Sequence, residues 1–215
     1  LTGSALHIYE GGPHVRPQIE LARAVLESGT PMFGSCWGLQ VITTAAALQS
    51  GINEDAQLTA APQTQLPNST ATLENYGGTP CGNAPTASLR EAFARSCNTA
   101  FVELGIRVGA DALRSTAQAF GFDSTPAPIR LEVAKSTVGP MADAAAVGMS
   151  SMGQKDVAVT PLQNAMVAAT IANSGVEMQP YLVDSLKGPD LTSIATTAPQ
   201  QQRRAVSPQV AAKLA

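Results

Sequence analysis

The sequence predicts an α/β chain rich in helix, and three observations carry that expectation. The first forty residues run strand, helix, strand and tight turn, the order of a βαβ unit. Ala-rich apolar runs at helical spacing recur through the remainder, at Val41–Leu48, Ala110–Phe120 and Pro161–Asn173. Hydrophobic residues make up 44% of the 215 positions, enough for a real core.

Taken in order, Ser4–Tyr9 alternates modestly and ends in Glu10-Gly11-Gly12-Pro13, a strand and its turn. His14–Ser28 places Ile19, Ala22, Val25 and Leu26 at helical spacing, with Gly29 as a stop and Pro31 beyond it. Pro31-Met32-Phe33 is a short apolar strand that runs into Gly34-Ser35-Cys36-Trp37-Gly38. That pentapeptide is a cysteine form of the nucleophile elbow, G-x-C-x-G, in which small residues flank a side chain forced out on a strand-to-helix turn. The buried helix Val41–Leu48 follows.

Asn53–Pro85 is polar and without sustained period, a surface excursion with short extended pieces. Thr86–Ile106 reads as a helix pair, with Ser88 as N-cap, Glu91 completing a capping box, and Leu89, Ala92 and Phe93 forming the apolar face. Ala110–Phe120 is a further helix that buries Leu113, Ala117 and Phe120 and ends at Gly121. Ser124–Pro128 is a turn, a short helix is expected around Leu131, and Met141–Met152 is small-residue-rich and flexible in character. Thr160 caps a helix with Pro161 at its first position and Gln163 closing the box; Leu162, Ala165, Met166, Ala169 and Ile171 are its core face. Tyr181–Leu186 alternates as a strand, Asp190–Val206 is a polar connector, and Ser207-Pro208 opens a last helix.

Bulk properties exclude several classes. The formal net charge is −3 and the Arg203-Arg204 pair, read as a solvated turn, is the only basic cluster, so no nucleic-acid partner is expected. No run of about 18 apolar residues is present to span a membrane. The chain begins Leu-Thr-Gly, with no initiating Met and no basic leader region, and reads as a fragment. Its three cysteines, Cys36, Cys81 and Cys97, match no zinc spacing, and no metal or cofactor is expected. Cys81 and Cys97 can pair in an exported domain, although their spacing does not say how close they lie.

Residues 1–40 resemble the class I glutamine amidotransferases through Thr2-Gly3-Ser4, Pro31-Met32-Phe33-Gly34 and Gly34-Ser35-Cys36-Trp37-Gly38-Leu39-Gln40. The resemblance implies that Cys36 is the thiolate attacking a glutamine side-chain amide, with backbone N–H groups of the elbow as oxyanion donors. That family's His-x-Glu lies downstream of its cysteine, whereas no histidine follows His14 here. His7 and His14 read as structural or exposed. Cys36 is then better accounted for as a small core residue at a tight turn.

Residues 41–215 resemble the penicillin-binding protein transpeptidases, of the mycobacterial and actinobacterial class B type. Ser96-x-Asn98 within LREAFARSCNTAFVELG corresponds to the family's Ser-x-Asn element, Ala71–Gly78 to the loop before it, and Gly153-Gln154 leading to Thr160-Pro161-Leu162-Gln163 to its Gly-Gln turn and T-P-L-Q helix start. The implied fold is the helix-rich part of a β-lactamase-like transpeptidase domain, preceded by the βαβ-like amidotransferase segment. The implied activity is D,D-transpeptidation of peptidoglycan, with a stem peptide or a β-lactam as partner, at the extracytoplasmic face of the membrane. The amidotransferase reading would place the chain in the cytoplasm instead.

The candidate catalytic residues are Ser35, Cys36, Ser96 and Asn98, with Asn98 also binding substrate. The family's Ser-x-x-Lys pattern is not matched. Counted from Ser35, the lysine position falls on Gly38; counted back from Val41, it falls on Gln40 and the serine position on Trp37. No Lys-Thr-Gly triplet occurs, and Lys135, Lys155, Lys187 and Lys213 read as surface charges. The expectation is a transpeptidase-like chain without turnover, against the alternatives of a cysteine amidase and a non-catalytic hybrid with a junction near residue 40.

Overall fold

Each of the other described α-helices packs on helix α1, Ser35–Gln49. The computed structural model describes residues 35–125, 129 and 133–215, with Ser35 and Cys36 given by backbone alone. From Leu39 to Ala47 every α1 residue is buried. A helix apolar on all sides belongs to an interior, and the two threonines there are satisfied locally. Thr43 Oγ1 donates to the Ser151 carbonyl at 2.7 Å and Thr44 Oγ1 to the Gln40 carbonyl at 2.8 Å.

The polar stretch after α1 forms four short strands in two antiparallel pairs: β1 (Gln57–Thr59) with β4 (Thr86–Ser88), and β2 (Gln63–Gln65) with β3 (Thr72–Glu74). Ser88 then caps α2 (Leu89–Ala94), its Oγ accepting from Glu91 N at 3.1 Å. The Glu91 carboxylate does not return to the cap as a full box would; it pairs with Arg95 one turn on. Helices α3 (Asn98–Val108) and α4 (Ala110–Ala119) are separated by Gly109 alone.

Five further elements follow before the chain closes. These are α5 (Ala144–Ser151), α6 (Pro161–Ala172), the ribbon of β5 (Val176–Met178) with β8 (Gln201–Arg204), the hairpin of β6 (Ser185–Lys187) with β7 (Ser193–Thr196), and α7 (Pro208–Leu214). The architecture is therefore mixed α/β and helix-rich, as expected.

Several expectations need correction. Met141–Met152 is not flexible: Asp143 caps α5 by accepting from Ala146 N at 2.7 Å, and Ala146, Val147, Gly148, Ser150 and Ser151 are buried. Small residues there permit close packing rather than mobility. In α6, Thr160 accepts from Gln163 N as expected, but the Gln163 side chain donates to the Phe120 carbonyl instead of closing the box. The buried face of α6 is Gln163, Asn164, Val167, Thr170 and Ile171, whereas Leu162, Ala165, Met166 and Ala169 line an open groove beside β5. A helix this uniformly apolar does not announce which side faces in.

The strand expected over 181–186 is confined to Ser185–Lys187, and Tyr181, Leu182 and Val183 before it are exposed. Asp190–Val206 is no simple connector, since it contains β7 and β8. Arg203 and Arg204 are in β8 rather than a turn. The strand, helix and strand expected before Gly34 and the helix around Leu131 lie outside the described residues.

Two apolar clusters share α1. The larger joins Leu39, Val41, Ile42 and Ala45 to Phe120, Phe122, Val167, Ile171, Val206 and Leu214. The smaller joins Ala47 to Leu58, Leu89, Phe101, Leu104 and Met152. A fully buried Leu, Ile or Phe side chain contributes about 1.5–3 kcal/mol, so both clusters are stabilised mainly by α1's position between them. Cys81 and Cys97 form a disulfide with Cα atoms 5.8 Å apart, tying the loop before β4 to the start of α3. Lys213 on α7 pairs with Glu54, which also holds Arg90. These pairs keep the Glu54 carboxyl below its ordinary range, with the Lys213 bond as the largest cause.

Candidate active site

The Ser-x-Asn element occupies the turn between α2 and α3. Arg95 ends α2, and Ser96 follows with φ +54°, in the left-handed region. Its N–H donates to the Phe93 carbonyl, the bond pattern of a left-handed helix cap. A non-glycine residue held there is strained by the order of 1 kcal/mol, and the surroundings fix it: Cys97 is fully buried and disulfide-bonded, and Asn98 is already the first residue of α3.

That turn delivers the Ser96 hydroxyl to α1. Ser96 Oγ lies 3.0 Å from Gln40 Oε1, donating to the carboxamide. Gln40 is 2% exposed, and its Nε2 has no partner among the described residues. Turned the other way, the amide would donate to the hydroxyl; in neither orientation does it take up a proton. Trp37, three positions earlier, is half-buried and packs against the larger cluster. Next to it Gly38 lies so close to α6 that a Cβ there would stand 2.4 Å from Asn164 Oδ1.

Asn98 is positioned from the other side. Its Nδ2 donates to the Glu74 carbonyl at 3.0 Å, at the end of β3. Adjacent Asn75 is 6% exposed and fully engaged: Oδ1 accepts from Thr99 N at 3.0 Å, and Nδ2 donates to the carbonyls of Ala61 at 2.8 Å and Thr79 at 3.2 Å. Thr99 Oγ1 adds a second bond to the Ala61 carbonyl at 3.0 Å. The base of the β2–β3 hairpin, at Ala61 and Glu74-Asn75, is thus stitched to the first turn of α3.

Of the four candidate residues, the structure brings Ser96 and Asn98 together on one turn beside α1. Ser35 and Cys36 fall in the first helical turn of α1, five and four positions before Gln40, and their side chains lie outside the description. The elbow expected around them is helical from Ser35 onward, so Trp37 and Gly38 sit within a helix rather than a turn. Gln40 and Asn75 are the site residues that sequence reasoning did not select. Gln40 carried a signal as the residue in the lysine register; Asn75 carried none beyond its place before Tyr76-Gly77-Gly78.

Chemically the arrangement offers a hydroxyl, two carboxamides and a backbone carbonyl. Such groups are able to hydrogen-bond a peptide group, and none is a base at neutral pH. Among the described residues no group of three or more His, Cys, Asp or Glu could hold a metal ion, and no helix is long and apolar enough to cross a membrane.

Comparison with known proteins bears on this geometry directly. The penicillin binding protein transpeptidase domain matches residues 40–215, beginning at Gln40. The peptidoglycan D,D-transpeptidase PbpA of Mycolicibacterium smegmatis is 66% identical over 194 residues, which is 90% of this chain and 39% of that protein. Its counterpart in Mycobacterium tuberculosis H37Rv is 68% identical over 192 residues, 89% of this chain and 38% of the relative. The chain therefore spans about two fifths of the length of the curated relatives it matches.

A solved structure of penicillin-binding protein A from M. tuberculosis, a ceftriaxone acyl-enzyme complex, superposes with a TM-score of 0.78 at 70% identity, covering 82% of this chain and 40% of that one. The D,D-transpeptidase domain of a peptidoglycan glycosyltransferase from Eggerthella lenta gives a TM-score of 0.69 at 28% identity, over 93% of this chain and 52% of that one. A shorter match, 54% identical over 46 residues, covers 21% of this chain and 16% of a gamma-glutamyl-L-1-hydroxyisopropylamide hydrolase from Pseudomonas sp..

Proposed function

Because the chain belongs to the penicillin-binding protein transpeptidase family, we propose that it is a segment of a peptidoglycan D,D-transpeptidase domain that keeps the Ser-x-Asn side of the site and does not itself turn over. The observation that carries this reading is the bond from Ser96 Oγ to Gln40 Oε1. In the register that follows from Val41, Gln40 stands where the family places its lysine. A carboxamide neither accepts the proton of an attacking hydroxyl nor returns one to a leaving amine, so acylation lacks its acid–base partner.

The roles that remain follow from chemistry. Ser96 would relay a proton near the leaving amine of a stem peptide, and Asn98 would hydrogen-bond the substrate's peptide group through its amide. Ser35 is the candidate nucleophile for a stem peptide or a β-lactam, and the extracytoplasmic face of the membrane is the compartment that goes with those partners. Incubation with a fluorescent penicillin, beside the M. tuberculosis relative as positive control, tests this. The expected outcome is labelling of the relative and none of this chain; a covalent adduct on Ser35 would overturn the reading.

The 46-residue hydrolase match favours a second reading for the N-terminal part. In it residues 1–40 are an amidotransferase-like segment with Cys36 as nucleophile, joined near residue 40 to the transpeptidase part at 41–215. Modification confined to Cys36 by a glutamine-analogue electrophile is its expected signature. Absence of that modification leaves Cys36 a structural residue.

A further inference from the structure

The β5–β8 ribbon is the stalk from which the β6–β7 hairpin extends, its far end joined by Gln179 N donating to the Gln200 carbonyl at 2.8 Å. The hairpin region carries Leu182, Leu191 and Ile194 to solvent, each more than 60% exposed. At the centre of the stalk stands a group poorly suited to burial. Glu177 is 2% exposed, and neither carboxylate oxygen receives a hydrogen bond from the described residues. Its cross-strand partner is Arg203, whose Nε is 3.2 Å from Oε1, near enough for charge attraction without hydrogen-bond alignment. Arg203 is also drawn toward α4, with Nη1 3.5 Å from the Gln118 carbonyl.

No other group among the described residues completes the shell. Gln163 Nε2 donates to the Phe120 carbonyl and makes no bond to Glu177. Gly121, with φ +92°, brings bare backbone against the pair, and a Cβ there would lie 3.7 Å from Glu177 Oε2. About 10 Å³ of open space remains between Glu177, Gly121, Ser136, Thr160 and Gln163. Arg203 is the only other charged residue around that space among the described residues, and α6 and the end of α4 contribute no titratable group to it.

We propose that Glu177 and Arg203 form a proton-operated latch on the stalk: a protonated Glu177 holds the ribbon closed on α4 and α6, and an ionised Glu177 favours its opening. A buried carboxylate without hydrogen-bond donors is costly, and opening the ribbon restores its water. Burial pushes the Glu177 carboxyl above its ordinary range, with the Arg203 charge opposing that shift. The closed state therefore binds the proton more tightly than the open one. Closure is most favoured below the ordinary carboxylate range and weakens as pH rises through the raised value, above which Glu177 is ionised in both states.

Hydrogen–deuterium exchange of the 176–179 and 200–205 amides across pH tests the latch, after correction for intrinsic exchange. Protection in the wild type is expected to fall by up to tenfold per pH unit inside the window. In Glu177→Gln it should stay high and flat. Arg203→Gln removes the opposing charge, so its window should move to higher pH. The same pH profile in wild type and Glu177→Gln, or an unmoved window in Arg203→Gln, would overturn the latch.

Discussion

The Ser96 hydroxyl donates to the Gln40 carboxamide oxygen across 3.0 Å, joining the α2–α3 turn to the central helix. The other end of that amide, Nε2, is buried without a partner among the described residues. The turn thus reaches α1 but meets there a carboxamide that is inert to protons and half-satisfied among the described residues. A buried unpaired donor costs about 1–3 kcal/mol, more than the 0.5–1.5 kcal/mol or so of one neutral hydrogen bond. Ser96 is an exposed residue and can turn its hydroxyl to water. Gln40→Leu is therefore expected to raise stability by about 1 kcal/mol, read as a later midpoint in chemical denaturation with an unchanged slope. An earlier midpoint would show that the amide is better satisfied than this geometry allows.

Asn75 has the opposite character, because every polar atom of its side chain is engaged. Removing it leaves the buried Thr99 N–H without its acceptor and takes one donor each from the Ala61 and Thr79 carbonyls, of which Ala61 keeps its bond from Thr99 Oγ1. Asn75→Ala is expected to cost about 1–3 kcal/mol, chiefly from the Thr99 N–H left unpaired in a buried place. Exchange protection at the Thr99 amide should fall first. Unchanged protection there would mean that α3 is seated without the base of the β2–β3 hairpin.

The Cys81–Cys97 disulfide closes a loop of 16 residues immediately beside Ser96 and Asn98. Cross-links closing loops of that length are worth about 3 kcal/mol. Reduction, or a Cys81→Ser/Cys97→Ser pair, is expected to lower stability by about that amount. It should also broaden the NMR resonances of the 96–99 amides, because the left-handed Ser96 is held by its fixed neighbour. Sharp, unshifted resonances after reduction would assign the rigidity of this turn to the Asn75 bonds alone.

What could be read from the sequence were the features set by local rules. Ser88, Thr160 and Ser207 announce helix starts by their own hydroxyls, and all three cap as read. The Ser-x-Asn turn was legible because its flanking residues carry a family pattern. The bond that defines the site was not, since Ser96 and Gln40 are 56 residues apart and only packing brings them together. Arg203 looked like a solvated turn because nothing local reveals that Glu177 lies opposite it across a ribbon. Helix α5 looked mobile because Ala, Gly and Ser signal flexibility in one context and intimate helix contact in another.

That last ambiguity is resolved by the α3–α5 contact, which supplies the final prediction. A Cβ built on Gly105 would stand 2.4 Å from Ser151 Cβ and 2.5 Å from its Oγ. Ser151 cannot easily yield: it is fully buried, and its hydroxyl lies 2.7 Å from both the Phe101 and Gly148 carbonyls. Adding the methyl group forces the helices apart or turns Ser151 from its acceptors, a cost of about 1–3 kcal/mol from overpacking. The gain of up to about 1 kcal/mol in helix propensity from glycine to alanine offsets only part of it. Gly105→Ala is therefore expected to unfold at lower denaturant, and adding Ser151→Gly to restore most of the loss by vacating the same space. A Gly105→Ala chain at least as stable as wild type would place α3 and α5 further apart than their glycines imply.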